Sequence, residues 1–421
     1  MKRMIAFMTA GAMALLCSCG EDKSVVLEQT QQTEITLSWW GNDVRTEYTL
    51  EAVELFEEKY PYIKVKCSYS EWSGYEARSQ VQMISGTEAD VMQINLGWLS
   101  QYSEDGSGYY DIEALGDTVD LSCFSPEVLE YGRRNGVLNA VPIAMNAETV
   151  YINKTVYDSY GLAVPAAWED FFEAAKVMKK DGVYPMSGAS KSMWLFCVAY
   201  AEQMTGKHFF NENSEMTFNK DDLKLMIDFY CRMVNEDVIP KVEDYQRLEL
   251  EDGSYAGTVA WVSDAVNYMG TAMDNGYEIV AAPYPAAEGC ESGDGWYAKP
   301  ATLYAVSCNT EHPKEAALLL DFMLNSPQWA ELQGIEKGIP ISSAARDHLD
   351  ETGMLEGLQY DASLVMETNT RLGQMNSLIE SGDLFDRFID SCDLVIFDKE
   401  SSEQAAEELY ELYRESYAMA E

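Results

Sequence analysis

Between Thr33 and Asn95 the spacing of apolar positions changes several times. Ile35–Trp40 is a short apolar, β-prone run. Tyr48, Ala52, Leu55 and Phe56 then recur at helical spacing, and the helix they predict stops before Pro61. Ile63, Val65, Cys67 and Tyr69 alternate with Lys64, Lys66 and Ser68, the two-residue period of a strand. Ala77, Val81 and Ile84 share the apolar face of a second predicted helix, and Asp90–Ile94 reads as a buried strand. Strand, helix, strand, helix, strand opens a parallel sheet covered by helices. Trp39–Trp40, Trp72 and Trp98 fall at or just beyond the carboxyl ends of these strands, where such sheets hold ligands.

Further along, Leu138–Ala144 and Val150–Lys154 predict two successive strands, a place where the chain can cross to another lobe. Helices are predicted over Trp168–Lys180, Ser190–Met204 and Pro313–Leu324, and from Asp221–Asp222 onward, where the acids suit the helix dipole. Thr258–Val262, Ile279–Ala282 and Leu303–Ser307 read as strands. The tail is helical, with the capping pair Ser401 and Gln404 ahead of the stripe Ala405, Leu409, Leu412 and Tyr413.

The first residues change the picture of where this body sits. Lys2 and Arg3 precede an apolar run, Met4–Leu16, too short to span a bilayer as an ordinary helix, which is the layout of an export signal. Leu16-Cys17-Ser18-Cys19-Gly20 resembles a bacterial lipobox with Cys19 as the lipid-modified residue, and the polar run Glu21–Thr33 suits a tether. The plainer alternative is a secretion signal with an incidental cysteine. No later apolar stretch is long enough for a transmembrane helix, so the expectation is an exported body anchored at the outer face of the cell membrane.

A length of 421 residues allows two domains of ordinary size. The net charge of −42 argues against nucleic acid as a partner, because phosphates would be repelled. Beyond Cys19, the cysteines at 67, 123, 197, 231, 290, 308 and 392 are odd in number and lack CxxC spacing, so buried free thiols are expected. His208, His312 and His348 are isolated, and neither a metal nor another cofactor is expected.

Four places resemble the extracellular solute-binding proteins of carbohydrate ABC importers, the maltodextrin-binding-like group. Ala52–Val65, AVELFEEKYPYIKV, is similar to that family's F-E-x-x-Y-P-x-I-x-V signature. Gly86-Thr87-Glu88-Ala89-Asp90-Val91 is similar to its G-x-x-P-D-V turn, with Ala89 where proline is common. Val150–Lys154 is followed by Gly161-Leu162 and Pro165-Ala166-Ala167-Trp168, where Ala167 stands in place of the usual capping threonine. His312-Pro313-Lys314-Glu315-Ala316-Ala317 precedes Gly338-Ile339-Pro340.

The resemblance implies a two-lobed α/β fold of the periplasmic-binding-protein type II. Each lobe would be a helix-flanked, mostly parallel sheet, with a hinged cleft between them. It implies a signal peptide at 1–18, a lipidated tether at 19–32, one lobe from 33–142 plus 300–343 and the other from 143–299 plus 344–421. Chain crossings would fall near Ala140–Asn146, Trp296–Thr302 and Ile341–Arg346. The implied activity is capture of a mono- or oligosaccharide by a monomer, without catalysis, and its delivery to the permease subunits of the importer.

A pyranose presents apolar faces and a rim of hydroxyls, so aromatic residues at strand ends with polar neighbours are the candidates. Trp40 with Asn42, Asp43 and Arg45 is the leading group, followed by Trp72 with Tyr75 and Asn95 with Trp98. The other lobe would contribute Trp194, Trp261 with Asp264, and Trp296 with Tyr297, and Glu336 and Lys337 would face the cleft. Trp39 is expected inside, as are Trp168 and Trp329, while Trp194 divides between core and cleft. Arg45, Lys191, Lys299 and Arg371 would tolerate an acidic sugar, but nothing in the sequence requires one. The rival class is an exported glycoside hydrolase or lyase. With 71 Asp and Glu a carboxylate pair can always be found, so acids do not discriminate; GxSxG, HExxH and P-loop motifs are absent.

Overall fold

The computed structural model describes residues 32–246 and 250–420. The signal segment, Cys19 and the tether up to residue 31 lie outside them. The strands are β1 Thr33–Trp40, β2 Ile63–Ser70, β3 Val91–Ile94, β4 Arg133–Arg134, β5 Val137–Leu138, β6 Ala140–Asn153, β7 Gly257–Trp261, β8 Ile279–Ala282, β9 Tyr297–Val306 and β10 Gly373–Gln374. The main sheet runs β2-β1-β3-β9-β6-β7, with β10 on β9 and β8 on β6. β1 pairs in parallel with β2 and β3. The helices Asp43–Lys59 and Trp72–Ser85 make the crossovers, as the alternating periods predict.

The two-lobed α/β fold is therefore present, but parallel pairing is concentrated in its first lobe. β6 is antiparallel to β7, β8 and β9, and β3 is antiparallel to β9. The second lobe is built around a strand that enters from the first, and its neighbours run back against it. The predicted strands Leu138–Ala144 and Val150–Lys154 merge into β6, whose first half pairs with β9 and whose second half pairs with β7 and β8. Asn146 and Glu148 break the apolar pattern between them, yet the backbone ladder on both sides keeps them in the strand.

Two cores flank this pair of long strands. One gathers Ile35, Leu37, Phe56, Val91, Tyr304, Leu320 and Trp329. The other gathers Phe171, Phe172, Trp194, Phe196, Phe229, Phe388 and Tyr413. The helix Ser343–Glu351 packs Ala345 and Leu349 on Ala330, a small cluster of its own beside Trp329 of the first core. The helix Leu358–Glu367 packs Leu358, Ala362 and Met366 with Tyr151, Val262 and Met269. Leu349 and Ala345 thus hold this helix to Ala330 of the helix Pro327–Gln333, and the chain joins the Tyr151 and Met269 cluster from Leu358 onward.

Helix Trp72–Ser85 is rolled away from its predicted face. Tyr75 and Ser79 are its buried residues, whereas Val81 is 67% and Ile84 83% exposed. The Tyr75 hydroxyl donates to the Gln93 carbonyl at 2.7 Å and lies 3.1 Å from the Ser38 hydroxyl, so one large, hydrogen-bonded ring sets the roll against two smaller aliphatic side chains. At Ala167, where a cap is missing, the Asp170 carboxylate accepts from the Ala166 and Ala167 N–H groups at 2.9 and 2.8 Å. The cysteines 67, 123, 197, 231, 290, 308 and 392 are all free; 197, 231 and 392 are buried, but 308 is exposed.

Candidate ligand cleft

The first wall begins where β1 turns into the helix Asp43–Lys59. Asn42 is that helix's N-cap, its side-chain oxygen accepting from the Arg45 N–H at 2.9 Å, and Asp43 supplies the acid of the first turn. Asn95 does the same for the helix Leu96–Tyr102, accepting from the Trp98 N–H at 3.0 Å. In both caps the amide oxygen is engaged by the helix start, which leaves the side-chain N–H donors of Asn42 and Asn95 outside the cap. Arg45 donates from Nε to Glu336 Oε1 at 3.1 Å and from a terminal nitrogen to the Glu336 carbonyl at 3.0 Å. Two expected site residues are therefore brought into contact with each other.

Above this corner the rings form two layers. Tyr75 and Trp98 are buried and stack 5.8 Å apart at 7°. Trp40 is half-buried, 5.4 Å from Tyr75 and edge-on to Trp72 at 4.9 Å. Trp72 is 38% exposed, and Trp39 is the buried member of the tandem pair. Tyr75 and Trp98 thus form the buried layer, and Trp40 and Trp72 the outer, partly exposed one.

Behind Glu336, Lys337 is buried and donates to the Tyr304 hydroxyl at 3.0 Å, with its Nζ 5.8 Å from the Tyr48 ring centre. Burial pushes Lys337 down to about 7, and the Arg45 guanidinium adds to that while Glu336 opposes it. Gly338, at φ +99°, lets this segment pass β6; a Cβ there would lie 2.7 Å from that of Ala144.

The second wall is the polar face of β6, β7 and β9. Asn146 donates to the Ser263 hydroxyl at 3.0 Å and accepts from the Ser263 N–H at 3.1 Å. Glu148, opposite Trp261 in the ladder, accepts from the Ser192 hydroxyl at 2.9 Å, and its second oxygen has no partner among the described residues. Burial pushes the Glu148 carboxyl up to about 8; Ser192 and Lys191 oppose that, while Asp264 and Glu380 add to it. Lys191 and Lys299 both pair with Glu380, and their Nζ atoms lie 5.2 and 4.5 Å from the Trp261 ring centre. Asp264 closes the turn Val262–Asp264 that follows Trp261.

Lys337, expected to face the cleft, is buried like Tyr75 and Trp98, and Trp194 and Trp296 are core residues of the second lobe. Trp194 is fully buried, 5.3 Å from Phe388, with its indole N–H donating to the Ile379 carbonyl at 2.9 Å. Its helix, Ser190–Thr205, is buried on nearly every side, so no face of it turns that ring outward. Trp296 is buried 4.8 Å from Tyr284 and stacked at 9° on Trp168, because the apolar side of the second lobe, not the loop before it, claims the ring. Tyr297, next in the chain, is half-buried and its hydroxyl is 2.6 Å from both Glu202 oxygens. It lines an open cleft of ≈ 880 Å³, with Leu96, Ser100 and Arg134 on one side and Lys207, His208, Asn211 and Gln374 on the other. Sequence reasoning missed Glu148, Glu380, Arg134 and Gln374. None has an aromatic neighbour in sequence; Glu148 is placed by the β6–β7 ladder, Glu380 by the turn Ser377–Glu380, Arg134 by the β4–β5 hairpin and Gln374 by the pairing of β10 with β9.

A family model described as bacterial extracellular solute-binding protein matches residues 51–353. The multiple sugar-binding protein of Streptococcus mutans is 23% identical over 353 residues, 78% of this chain and 79% of that one. Among solved structures, a periplasmic oligogalacturonide-binding protein of Yersinia enterocolitica in complex with saturated digalacturonic acid is 28% identical. The match covers 91% of this chain and 99% of that one, with a TM-score of 0.78. A de novo designed cysteine esterase is also 28% identical over 91% of this chain and 99% of its own, with a TM-score of 0.83. Its chemistry is that design's own.

Proposed function

The chain belongs to the bacterial extracellular solute-binding proteins, a non-catalytic family, and from that premise we propose that it captures a mono- or oligosaccharide and delivers it to an ABC importer permease. The observation that carries this reading is the ≈ 880 Å³ cleft between the lobes, lined by Leu96, Ser100 and Arg134 on one side and by Phe210, Tyr297, Asn211 and Gln374 on the other. A ligand touching both walls would favour the closed form, with β6 and β9 as the flexing connections. The lobes that move are 33–142 with 300–351 and 143–299 with 358–420. We take the protein to act as a monomer, tethered through a lipid on Cys19; Cys19→Ser should then release it into the medium. The sugar bound by the Streptococcus mutans relative supports carbohydrate as the ligand class. Thermal-shift screening of the mature protein against a sugar panel is the direct test. Stabilisation by a sugar that is recovered unchanged is the expected result, and turnover into products would overturn the reading.

A further inference from the structure

We infer that the captured sugar carries a carboxylate, a hexuronate unit whose anion is held by Lys191 and Lys299 beside Trp261. This rests on the carbohydrate-capture reading and adds the charge of the ligand to it. Lys191 comes from the first turn of the helix Ser190–Thr205 and Lys299 from β9, so two separate elements converge on one point. That point already holds a carboxylate: Lys191 bonds Glu380 Oε1 and Lys299 bonds Oε2. Each ammonium has three donors and Glu380 takes one from each, which leaves donors for a second anion. Among the described residues, Glu380 is the sole carboxylate within ion-pair distance of either lysine. The buried Glu148 is near enough to act on both lysines, but burial favours its neutral form, so it takes little of their charge. Asp264 faces the same group from the turn after β7.

A neutral sugar would gain little from two half-buried ammoniums whose desolvation must be offset in every unliganded molecule. In a chain with 29 Lys and Arg against 71 Asp and Glu, their pairing on one acid runs against the overall bias. Both Nζ atoms lie over the Trp261 ring, so the carboxylate is the part of the sugar that would meet this group. A phosphate dianion fits less well, because it would meet the Glu380 charge and finds no guanidinium fork there. The Yersinia enterocolitica structure holds digalacturonic acid in the same fold.

Calorimetry on the mature protein should compare digalacturonate, the neutral galactose disaccharide of the same linkage, and glucose 6-phosphate. Digalacturonate should bind best, and Lys191→Met and Lys299→Met should each weaken it about tenfold or more. Should either variant misfold, salt dependence of the unaltered protein decides instead: affinity should fall several-fold between about 0.05 and about 0.5 M NaCl. Equal or better binding of the neutral disaccharide would overturn the inference and leave sugar capture standing. Binding of the phosphate alone would overturn it in favour of a phosphorylated ligand. No binding by any sugar in this set or the wider panel would strike the capture reading itself.

Discussion

Lys337 and Tyr304 share one buried hydrogen bond, 3.0 Å from ammonium to hydroxyl, at the point where the segment after helix Pro327–Gln333 meets the sheet. Because burial pushes Lys337 down to about 7, the folded protein releases a proton there that the unfolded chain keeps up to the ordinary lysine value of 10.5. Stability contributed by this site therefore rises with pH across that window; below it, both states are charged and the full desolvation cost remains.

Lys337→Met removes the titration and leaves the Tyr304 hydroxyl without its donor. The wild type should gain on this variant as pH rises above about 7, by at most about 1.4 kcal/mol per pH unit. Urea unfolding of both proteins across that range measures the difference, and a flat difference would show that Lys337 titrates normally.

Trp40→Ala and Trp72→Ala test the first wall. Trp72 is 38% exposed and Trp40 half-buried, so folding should suffer modestly, while each lost ring contact should cost ligand binding on the order of 1 kcal/mol. Calorimetry with the sugar found by screening reads the effect; unchanged affinity in both would move the site elsewhere.

Trp194→Phe makes the opposite prediction. The ring remains in its aromatic core, but the Ile379 carbonyl loses its 2.9 Å donor, one residue before Glu380. Stability should fall by about 1–2 kcal/mol. Trp194→Ala should cost about 3–5 kcal/mol through the cavity it leaves. Denaturant midpoints check both, and no loss in the alanine variant would contradict a core role.

The first lobe was legible in the sequence because each element there has one unmixed period: Ile63, Val65 and Cys67 alternate, and Phe56 sits at helical spacing from Ala52. The roll of the helix Trp72–Ser85 was not, since Tyr75 is held by Gln93 and Ser38, partners that periodicity does not see. Tryptophans that end β1 and β7, Trp40 and Trp261, stay half-buried. Trp194, which the sequence leaves divided between core and cleft, and Trp296 are both covered by the packing of the second lobe. Lys191 and Lys299 stand out in the sequence as able to meet an acidic sugar, but their convergence on Glu380 does not. Lys191, Lys299 and Glu380 lie far apart in the chain and become a group only through the antiparallel ladder around β6 and the turn Ser377–Glu380.

Ala167 offers a gain of stability in place of a loss. Its backbone, at φ −123° and ψ 156°, already has the extended geometry of an N-cap, and Asp170 already supplies the carboxylate half of a capping box. What is missing is a side-chain oxygen at 167 to accept an N–H of the first turn. Ala167→Ser supplies it on a half-buried site and should stabilise the protein by roughly 0.5–1 kcal/mol. Asp170→Ala should cost a similar amount or somewhat more, because it frees the Ala166 and Ala167 N–H groups together. Combined, the two changes should fall short of additivity, since each half of a capping box holds the geometry the other needs. Denaturant unfolding of the single and double variants measures all three, and a destabilised Ala167→Ser would mean that the parallel bridge from Ala167 to Ala286 leaves the hydroxyl no room to turn toward the helix.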